Sequence, residues 1–240
     1  MEKENIKLIA FDLDGTLTQH KTKLGEKHRA LLEKLSEKYK LLIVGAGTCR
    51  RIFEQMNGFP IDIIGNYGMQ YAKYSYTSKD IEIVRDVKKS IDKEAIEEKV
   101  TALREKYGYT EFLGDNVEYH PSGCITFPLL GTKANIEDKL SFDPDRTKRR
   151  KIYTDVKAQF NDYVVFVGGS SSFDMAPLPY DKAYALSDYC RENNILHNEV
   201  VYVGDDYGEG GNDESVYISD FNFVKIDDYK TLREKLEFLL

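Results

Sequence analysis

Tryptophan is absent from the 240 residues, and cysteine is rare, with three copies. Cys49, Cys124 and Cys190 are odd in number, far apart and without a C-x-x-C pair. This spacing argues against a disulfide framework and against a zinc site. We therefore expect reduced thiols, which are typical of a cytoplasmic protein.

The sequence also lacks long apolar runs and any excess of positive charge. No apolar stretch approaches the roughly 20 residues that span a bilayer, and the run at residues 6–11 is too short for a signal peptide. The formal net charge of −7 disfavours general binding to nucleic acids, which needs a basic surface. The basic cluster Lys148-Arg149-Arg150-Lys151 is expected to form a solvated face. We predict a cytoplasmic protein that binds neither membranes nor nucleic acids.

Hydrophobic patterning predicts an α/β domain built from both ends of the chain. Short apolar runs, typical of buried parallel strands, alternate with segments of helical periodicity. Asp181 is placed to cap a helix over residues 181–193. The predicted buried strands are residues 6–11, 41–44, 61–65, 200–204 and 221–226. This alternation indicates a core with a parallel sheet, formed by residues 1–80 and 178–240.

The middle of the chain has a different pattern. Amphipathic helices are predicted over residues 86–107 and 144–160. The predicted strands there are residues 116–120, 124–129, 164–167 and 172–175. Strands with helices between them in this arrangement are typical of an α+β fold. We predict that residues 81–177 form a separate small domain, inserted into the core.

The strongest chemical signal is the stretch Asp12-Leu13-Asp14-Gly15-Thr16, after the first predicted strand. Ligands of open α/β sheets bind outside the carboxyl ends of the strands. Residues two apart in an extended chain point to the same side, so Asp12 and Asp14 can face one reacting phosphorus. Gly15 permits a tight turn, and the amides of such a loop can bind an anion. The motif predicts phosphoryl transfer with an aspartate nucleophile.

A second acidic group follows the predicted strand at residues 200–204. It consists of Asp205 and, a few residues later, Asn212 and Asp213. Carboxylate oxygens, completed by water and substrate phosphate, are the ligands that Mg²⁺ prefers. Together with the first motif, they predict a Mg²⁺ site. Lys182, at the beginning of a predicted helix, is expected to offset the negative charge of the aspartates and the phosphate.

These motifs, in this order, resemble the haloacid dehalogenase (HAD) superfamily, whose members mostly transfer phosphoryl groups through an aspartyl-phosphate. The similarity is closest to the phosphomannomutase branch, which has a C2-type cap domain. It implies a Rossmann-like core with a parallel sheet and an inserted α+β cap. The branch is often dimeric through its cap, which suggests a homodimer. The matching stretches are residues 11–18, 43–47, 65–68, 172–174, 181–182 and 210–213.

The resemblance also implies roles for individual residues. Asp12 would be the nucleophile and a Mg²⁺ ligand. Asp14 would be the general acid and base, and its backbone carbonyl would bind the ion. Lys182 would hold the nucleophile and the phosphoryl oxygens, and Asp205 would be the second carboxylate ligand. The other implied residues support the metal site (Asn212 and Asp213) or lie near a sugar hydroxyl on the cap (Ser172 and Asp174).

Gly47 departs from the family pattern. It stands where the family has a Ser or Thr that bonds the phosphoryl oxygen, and Thr48 follows one residue later. Either the Thr48 hydroxyl or the Gly47 amide is therefore expected to make this contact with the substrate.

The cap departs from the pattern as well. The mutase branch clamps the distal phosphate of the sugar with arginines, yet residues 118–139 contain none. The residues near the matching positions are His120, Thr132 and Lys139, and Lys21 replaces another arginine after the first motif. Lysine is a point charge without the bidentate geometry of arginine. The loss of this clamp favours simple hydrolysis.

We therefore predict a Mg²⁺-dependent phosphatase that hydrolyses a small phosphorylated metabolite, such as a sugar phosphate, through an aspartyl-phosphate. A phosphohexose mutase of the phosphomannomutase type is the alternative. A non-catalytic binding or regulatory module is a third hypothesis, because fold does not fix function. A dinucleotide-binding domain, suggested by Gly45-Ala46-Gly47, is disfavoured because Arg50 stands in place of the third glycine.

Overall fold

The computed structural model describes residues 3–240. It divides into two compact units. The first, called the core unit here, consists of the chain up to residue 87 with residues 181–208 and 213–240. The second, called the insert unit, consists of residues 88–180 and 209–212.

Within residues 3–240, the two units contain eleven strands and eight α-helices, besides short 3-10 turns. The strands are β1 Leu8–Phe11, β2 Lys40–Val44, β3 Asp62–Gly65, β4 Gln70–Ser75, β5 Asp80–Asp86, β6 Glu118–Tyr119, β7 Ile125–Pro128, β8 Tyr163–Phe166, β9 Ser172–Pro177, β10 Val200–Gly204 and β11 Asn222–Lys225. The helices are α1 Glu26–Ser36, α2 Cys49–Gln55, α3 Lys93–Tyr107, α4 Ile136–Phe142, α5 Thr147–Gln159, α6 Lys182–Asn193, α7 Glu214–Tyr217 and α8 Leu232–Lys235.

The core unit contains a seven-stranded sheet in the order β11-β10-β1-β2-β3-β4-β5. The first five strands of this order are parallel, and β4 and β5 extend the sheet as an antiparallel hairpin. This mixed α/β sheet confirms the predicted fold class. The predicted domain boundary at residue 80 coincides with the start of β5, and the pairing of β5 with β4 extends the core unit to residue 87.

The sheet is buried on both faces. Ile9 and Phe11 of β1 pack into one hydrophobic cluster, whereas Leu8 and Ala10 pack into another. This explains why β1 is a continuous apolar run, since successive side chains of a strand point to opposite faces. Strand β1 lies between β10 and β2. Its carboxyl end is therefore the point where the strand order reverses, which is the usual ligand site of such sheets.

The insert unit contains a four-stranded antiparallel sheet in the order β6-β7-β9-β8, with α3, α4 and α5. The helix predicted over residues 86–107 begins later, at Lys93. Residue 86 belongs to β5, and the Asp92 side chain caps α3 by accepting a hydrogen bond from the Ala95 amide at 3.2 Å. Helix α4 was not predicted, because none of its residues is buried and it shows no apolar stripe.

The prediction of a solvated basic cluster is wrong for one member. Arg149 is almost fully buried, with 1% of its surface exposed. Its Nε donates to Asp143 Oδ2 at 2.8 Å, and its Nη1 donates to the carbonyl oxygens of Gly168 at 2.5 Å and Ser172 at 3.0 Å. Arg149 therefore ties α5 to the segment before β9.

Two further findings concern membrane-spanning helices and cysteines. Within residues 3–240, none of the helices has both the length and the apolar character needed to cross a membrane. Cys49, Cys124 and Cys190 are all buried thiols.

Candidate active site

The site is built where β1 and β10 end. Asp12 follows β1 directly, and its amide donates to the carbonyl of Val203 at 2.9 Å, which continues the pairing of the two strands. Asp205 follows β10 directly. Because the two strands are parallel neighbours, both aspartates emerge at the same edge of the sheet, as the sequence predicted.

A buried lysine joins two of the predicted carboxylates. Lys182, the first residue of α6, is fully buried, and its Nζ lies 2.5 Å from Asp12 Oδ1 and 2.8 Å from Asp213 Oδ1. The helix begins there because the side chain of Asp181 accepts a hydrogen bond from the Tyr184 amide at 2.7 Å. The predicted N-cap is therefore confirmed.

Asp213 is held by further donors of the protein. Its Oδ1 also accepts a hydrogen bond from the Tyr202 hydroxyl at 2.6 Å, and its Oδ2 accepts one from the Asp206 amide at 3.0 Å. Both oxygens are thus engaged by protein donors. Asp213 holds Lys182 and the loop after β10 in place.

Three carboxylates come close enough to hold a cation. Oxygens of Asp12, Asp205 and Asp213 all lie within 4.8 Å of one another. Hard oxygen donors in such a group suit Mg²⁺. Because Asp213 is already hydrogen-bonded through both oxygens, Asp12 and Asp205 are the carboxylates that would hold the ion directly.

The loop after β1 is shaped to admit Asp205. Gly15 has a φ of +96°, and a Cβ atom there would lie 2.4 Å from Asp205 Oδ2. Only glycine fits both the backbone conformation and the close approach. Thr16 then donates its hydroxyl to Asp205 Oδ1 at 3.0 Å. This explains the Asp-Gly-Thr part of the motif in physical terms.

The electrostatics of this group indicate a shortage of positive charge. Burial raises the pKa of Asp12 well above its ordinary value, with added repulsion from Asp213 and Asp205 that Lys182 only partly offsets. Burial and the charge of Asp213 also raise the pKa of Asp205, to about 6. Burial alone would lower the pKa of Lys182, but the two carboxylates that it contacts raise it. One ammonium among three carboxylates leaves room for a divalent cation.

Asp14 belongs to a second network, on the side of α2. Its Oδ1 accepts hydrogen bonds from the Lys21 amide at 2.7 Å and from Gln55 Nε2 at 2.6 Å. Arg51 Nη1 lies 3.7 Å from its Oδ2. The backbone of Lys21 makes this contact, whereas the sequence had suggested its side chain for the substrate. Gln55 and Arg51 were missed, although their spacing of four residues on a short helix could have indicated a common face.

The turn after β2 carries the residues expected to meet the phosphoryl group. The Thr48 hydroxyl accepts a hydrogen bond from the Arg51 amide at 3.3 Å and thereby caps α2. The carbonyl of Gly47 accepts one from the Asn66 amide at 2.8 Å. The contacts of Thr48 and Gly47 with a substrate stay predictions.

The residues predicted on the cap lie in the insert unit. Asp174 Oδ1 accepts a hydrogen bond from the Thr126 hydroxyl at 2.9 Å, and His120 Nε2 lies 3.1 Å from that hydroxyl. Ser172 donates its hydroxyl to the carbonyl of Gly168 at 3.2 Å. Burial raises the pKa of Asp174, and the Thr126 hydrogen bond and His120 oppose this.

Three other predicted residues also belong to the insert unit. Thr132 donates its hydroxyl to Asp115 Oδ2 at 3.1 Å, and Lys139 donates to the carbonyl of Thr132 at 3.0 Å. Both contacts are local and stabilise the loop after β7. Asn212 groups with the insert unit by its contacts, so its support of the metal site stays a prediction.

The fold of this protein is that of the HAD superfamily. Solved structures agree in fold. An IMP-bound IMP-nucleotidase from Plasmodium falciparum superposes with a TM-score of 0.71 at 14% identity, over 98% of this chain and 68% of that one. A HAD-superfamily phosphatase from Bacteroides thetaiotaomicron superposes with a TM-score of 0.63 at 16% identity, over 98% and 95% of the two chains.

Sequence comparison then gives the family. The family model for eukaryotic phosphomannomutase matches residues 28–226, so the chain belongs to that family. It is 26% identical to phosphomannomutase of Encephalitozoon cuniculi over 90% of this chain and 86% of that protein. It is 26% identical to the Saccharomyces cerevisiae phosphomannomutase over 89% and 85%. The predicted resemblance is confirmed.

Proposed function

We propose that this protein transfers the phosphoryl group of a phosphohexose through a covalent phosphate on Asp12. The observation that carries the proposal is the buried Lys182, which bridges Asp12 and Asp213 beside Asp205 at the carboxyl end of β1. A lysine that holds a carboxylate in place, next to further carboxylates, suits a nucleophile that must approach an anionic ester.

The residues of the chain divide the chemistry between them. A carboxylate oxygen of Asp12 forms a bond to phosphorus while the bond from phosphorus to the ester oxygen breaks. Asp14 donates a proton to that leaving oxygen. In the second half, Asp14 takes a proton from the acceptor hydroxyl, which attacks phosphorus and frees Asp12. When bound, Mg²⁺ would neutralise the phosphoryl oxygens and lower the repulsion between them and Asp12.

The two networks support this division of roles. Asp12 contacts a lysine that is fully buried. Asp14 is partly exposed, with 20% of its side chain accessible, so it can meet an incoming hydroxyl. Gln55 and the Lys21 amide fix its Oδ1 in one orientation. We infer that Asp12 acts as nucleophile and Asp14 as proton carrier.

For the fate of the phosphoryl group, we propose return to a sugar hydroxyl, the reaction of a phosphohexose mutase. The curated relatives that cover most of this chain are named phosphomannomutases, and the family model has the same name. Asp12 and Asp14 could serve transfer either to a sugar hydroxyl or to water. The choice of the sugar hydroxyl is therefore based on the similarity to the phosphomannomutase family.

Hydrolysis is the second candidate, and the insert unit gives a specific reason for it. Residues 118–139 contain no arginine. Arg104 and Arg149 of the same unit are buried, at 3% and 1% exposure, and donate to backbone carbonyls. Neither is accessible to clamp the second phosphate of a sugar bisphosphate, whereas Arg146 and Arg150 are partly exposed but lie outside residues 118–139. An enzyme that cannot hold a sugar bisphosphate would transfer the phosphoryl group from Asp12 to water.

One experiment separates the two candidates. Phosphate release would be measured on a panel of sugar phosphates, and conversion of mannose 1-phosphate to the 6-phosphate would be measured with and without glucose 1,6-bisphosphate. Each assay would be run with Mg²⁺ or with EDTA, beside the Asp12→Asn variant. Interconversion that requires the bisphosphate supports the mutase, and release without it supports the phosphatase. Mg²⁺-independent turnover that survives in Asp12→Asn would contradict both.

A further inference from the structure

Arg51 occupies the space that a side chain at position 47 would fill. A Cβ atom built on Gly47 would lie 2.4 Å from both Nε and Nη2 of Arg51 and 2.7 Å from its Cζ. The backbone of Gly47 is outside the left-handed region, so its conformation does not itself require glycine. The guanidinium lies over this turn, so a side chain at position 47 would require the end of the Arg51 side chain to move.

The guanidinium is anchored through one of its three nitrogens. Its Nη1 donates to Gln55 Oε1 at 3.1 Å and lies 3.7 Å from Asp14 Oδ2, while Nε and Nη2 face the turn at Gly47. Gln55 in turn donates to Asp14 and to Thr18. Because 47% of the Arg51 side chain is exposed, an incoming anion can reach it.

The charge of the site explains why a guanidinium is useful there. Lys182 is fully buried and already pairs with two carboxylates. A phosphoester brings further negative charge to a place that holds Asp12, Asp14 and Asp205. Arginine binds phosphate oxygens in a bidentate manner and stays charged when its surroundings change.

The neighbouring arginine has a different task and offers a matched comparison. Arg50 makes two hydrogen bonds to Asp80, at 2.7 and 3.2 Å, and lies over the ring of Phe53. This pair is about half exposed on both sides. The two arginines are adjacent in sequence, yet only Arg51 lies beside Asp14 and the turn after β2.

We propose that Arg51 binds the oxygens of the transferring phosphoryl group and replaces a side-chain hydroxyl at position 47. Gly47 makes room for it. The inference depends on the proposed phosphoryl transfer at Asp12 and deepens it by naming the phosphoryl ligand particular to this chain. Gln55 orients the guanidinium from the opposite side.

Single and double substitutions at Gly47 and Arg51 test whether Arg51 binds the phosphoryl group. We expect Arg51→Ala to lower kcat/KM about 100-fold, as loss of one donor to transition-state charge commonly does. Gly47→Ser should lower it as well, because the serine displaces the guanidinium. The double variant Gly47→Ser/Arg51→Ala should regain about tenfold over Arg51→Ala, since the serine hydroxyl then has space. Arg50→Ala should stay within about twofold of the wild type.

Binding of inorganic phosphate gives a readout that does not depend on turnover. In calorimetry with Mg²⁺ present, we expect Arg51→Ala to weaken phosphate binding about tenfold, Arg51→Lys to weaken it less, and Arg50→Ala to leave it unchanged. Thermal melting of each variant would show that it is folded. Normal phosphate affinity in Arg51→Ala would overturn the inference and limit Arg51 to positioning Asp14. A wild type that binds no phosphate would overturn it too.

The two proposals can fail separately. If the wild type turns over no phosphohexose but phosphate affinity still falls in Arg51→Ala, the substrate proposal fails and the inference on Arg51 stands. If the wild type is active and Arg51→Ala behaves like Arg50→Ala in both assays, only the inference on Arg51 fails.

Discussion

Each unit contains a fully buried cation that is paired with a carboxylate, and the two pairs differ in character. In the core unit, Lys182 contacts Asp12 and Asp213. In the insert unit, Arg149 contacts Asp143, and both side chains are at most 1% exposed. Burial penalises both pairs, because charges lose their hydration. The hydrogen-bond partners of each carboxylate decide whether this penalty is offset.

The carboxylate of the insert unit is fully satisfied. Asp143 accepts hydrogen bonds from the amides of Lys148 and Arg149 and from the Arg149 side chain. Burial alone would raise the pKa of Asp143, but these donors outweigh it and lower the pKa. In the core unit the balance is reversed, since burial and two neighbouring carboxylates raise the pKa of Asp12 despite Lys182. The Arg149–Asp143 pair stabilises the fold of the insert unit, whereas the Lys182–Asp12 pair keeps a carboxylate in an unfavourable environment.

The largest effect is expected from a substitution that removes the Lys182–Asp12 pair of the core unit. Asp12→Asn should reduce activity by about 10⁴-fold or more, because it removes the nucleophile. In EDTA the variant should melt at the same temperature as the wild type or higher, because a buried negative charge beside Asp205 and Asp213 is removed. Lys182 keeps Asp213 as a partner. Steady-state kinetics and thermal melting check the two parts, and a large drop in melting temperature would contradict the second.

The next largest effect is expected from a substitution that removes the Arg149–Asp143 pair of the insert unit. Arg149→Met should destabilise the protein by about 3–5 kcal/mol, because Asp143 would remain buried without its cation. Urea unfolding measures this, with Lys151→Met as control, since Lys151 is exposed on the same helix. The double variant Arg149→Met/Asp143→Asn should recover part of the loss. Equal stability of Arg149→Met and Lys151→Met would show that the pair contributes nothing.

Much of the core unit could be predicted from sequence because its signals are local. Continuous apolar runs give the parallel strands, and Asp12 and Asp205 directly follow two of them. Adjacent parallel strands then bring both carboxylates to one edge without further information. The cap on α6 is local as well, since Asp181 contacts a residue three positions later.

The missed features depend on contacts that no local pattern encodes. Arg149 was expected in solvent because charged runs usually are, yet its partners include Gly168 and Ser172, which are about 20 residues away. Asp213 was expected to support the metal site, but no sequence pattern indicated that its Oδ1 would accept hydrogen bonds from both the buried Tyr202 hydroxyl and Lys182. Sequence patterns give the edge of a sheet, whereas hydrogen-bond assignments depend on tertiary packing.

The smallest expected effect concerns Asp174 of the insert unit. The pKa of Asp174 is raised, as that of Asp12 is, whereas the pKa of Asp143 is lowered. Burial raises the pKa of Asp174 above the ordinary value of 3.8, so the folded protein keeps a proton that the unfolded chain has lost. The free energy of unfolding should therefore fall as pH rises from 3.8 through the pKa of the folded state, and then level off.

Asp174→Asn cannot titrate at this position, so its free energy of unfolding relative to its parent should rise between pH 4 and pH 7. Urea unfolding at several pH values measures the difference. Because His120 faces the same hydroxyl, on Thr126, the parent and the variant should both carry His120→Gln, so that the two proteins differ only at Asp174. A gain that shrinks as pH rises would mean that the folded protein stabilises the Asp174 carboxylate, and that Asp174 belongs with Asp143.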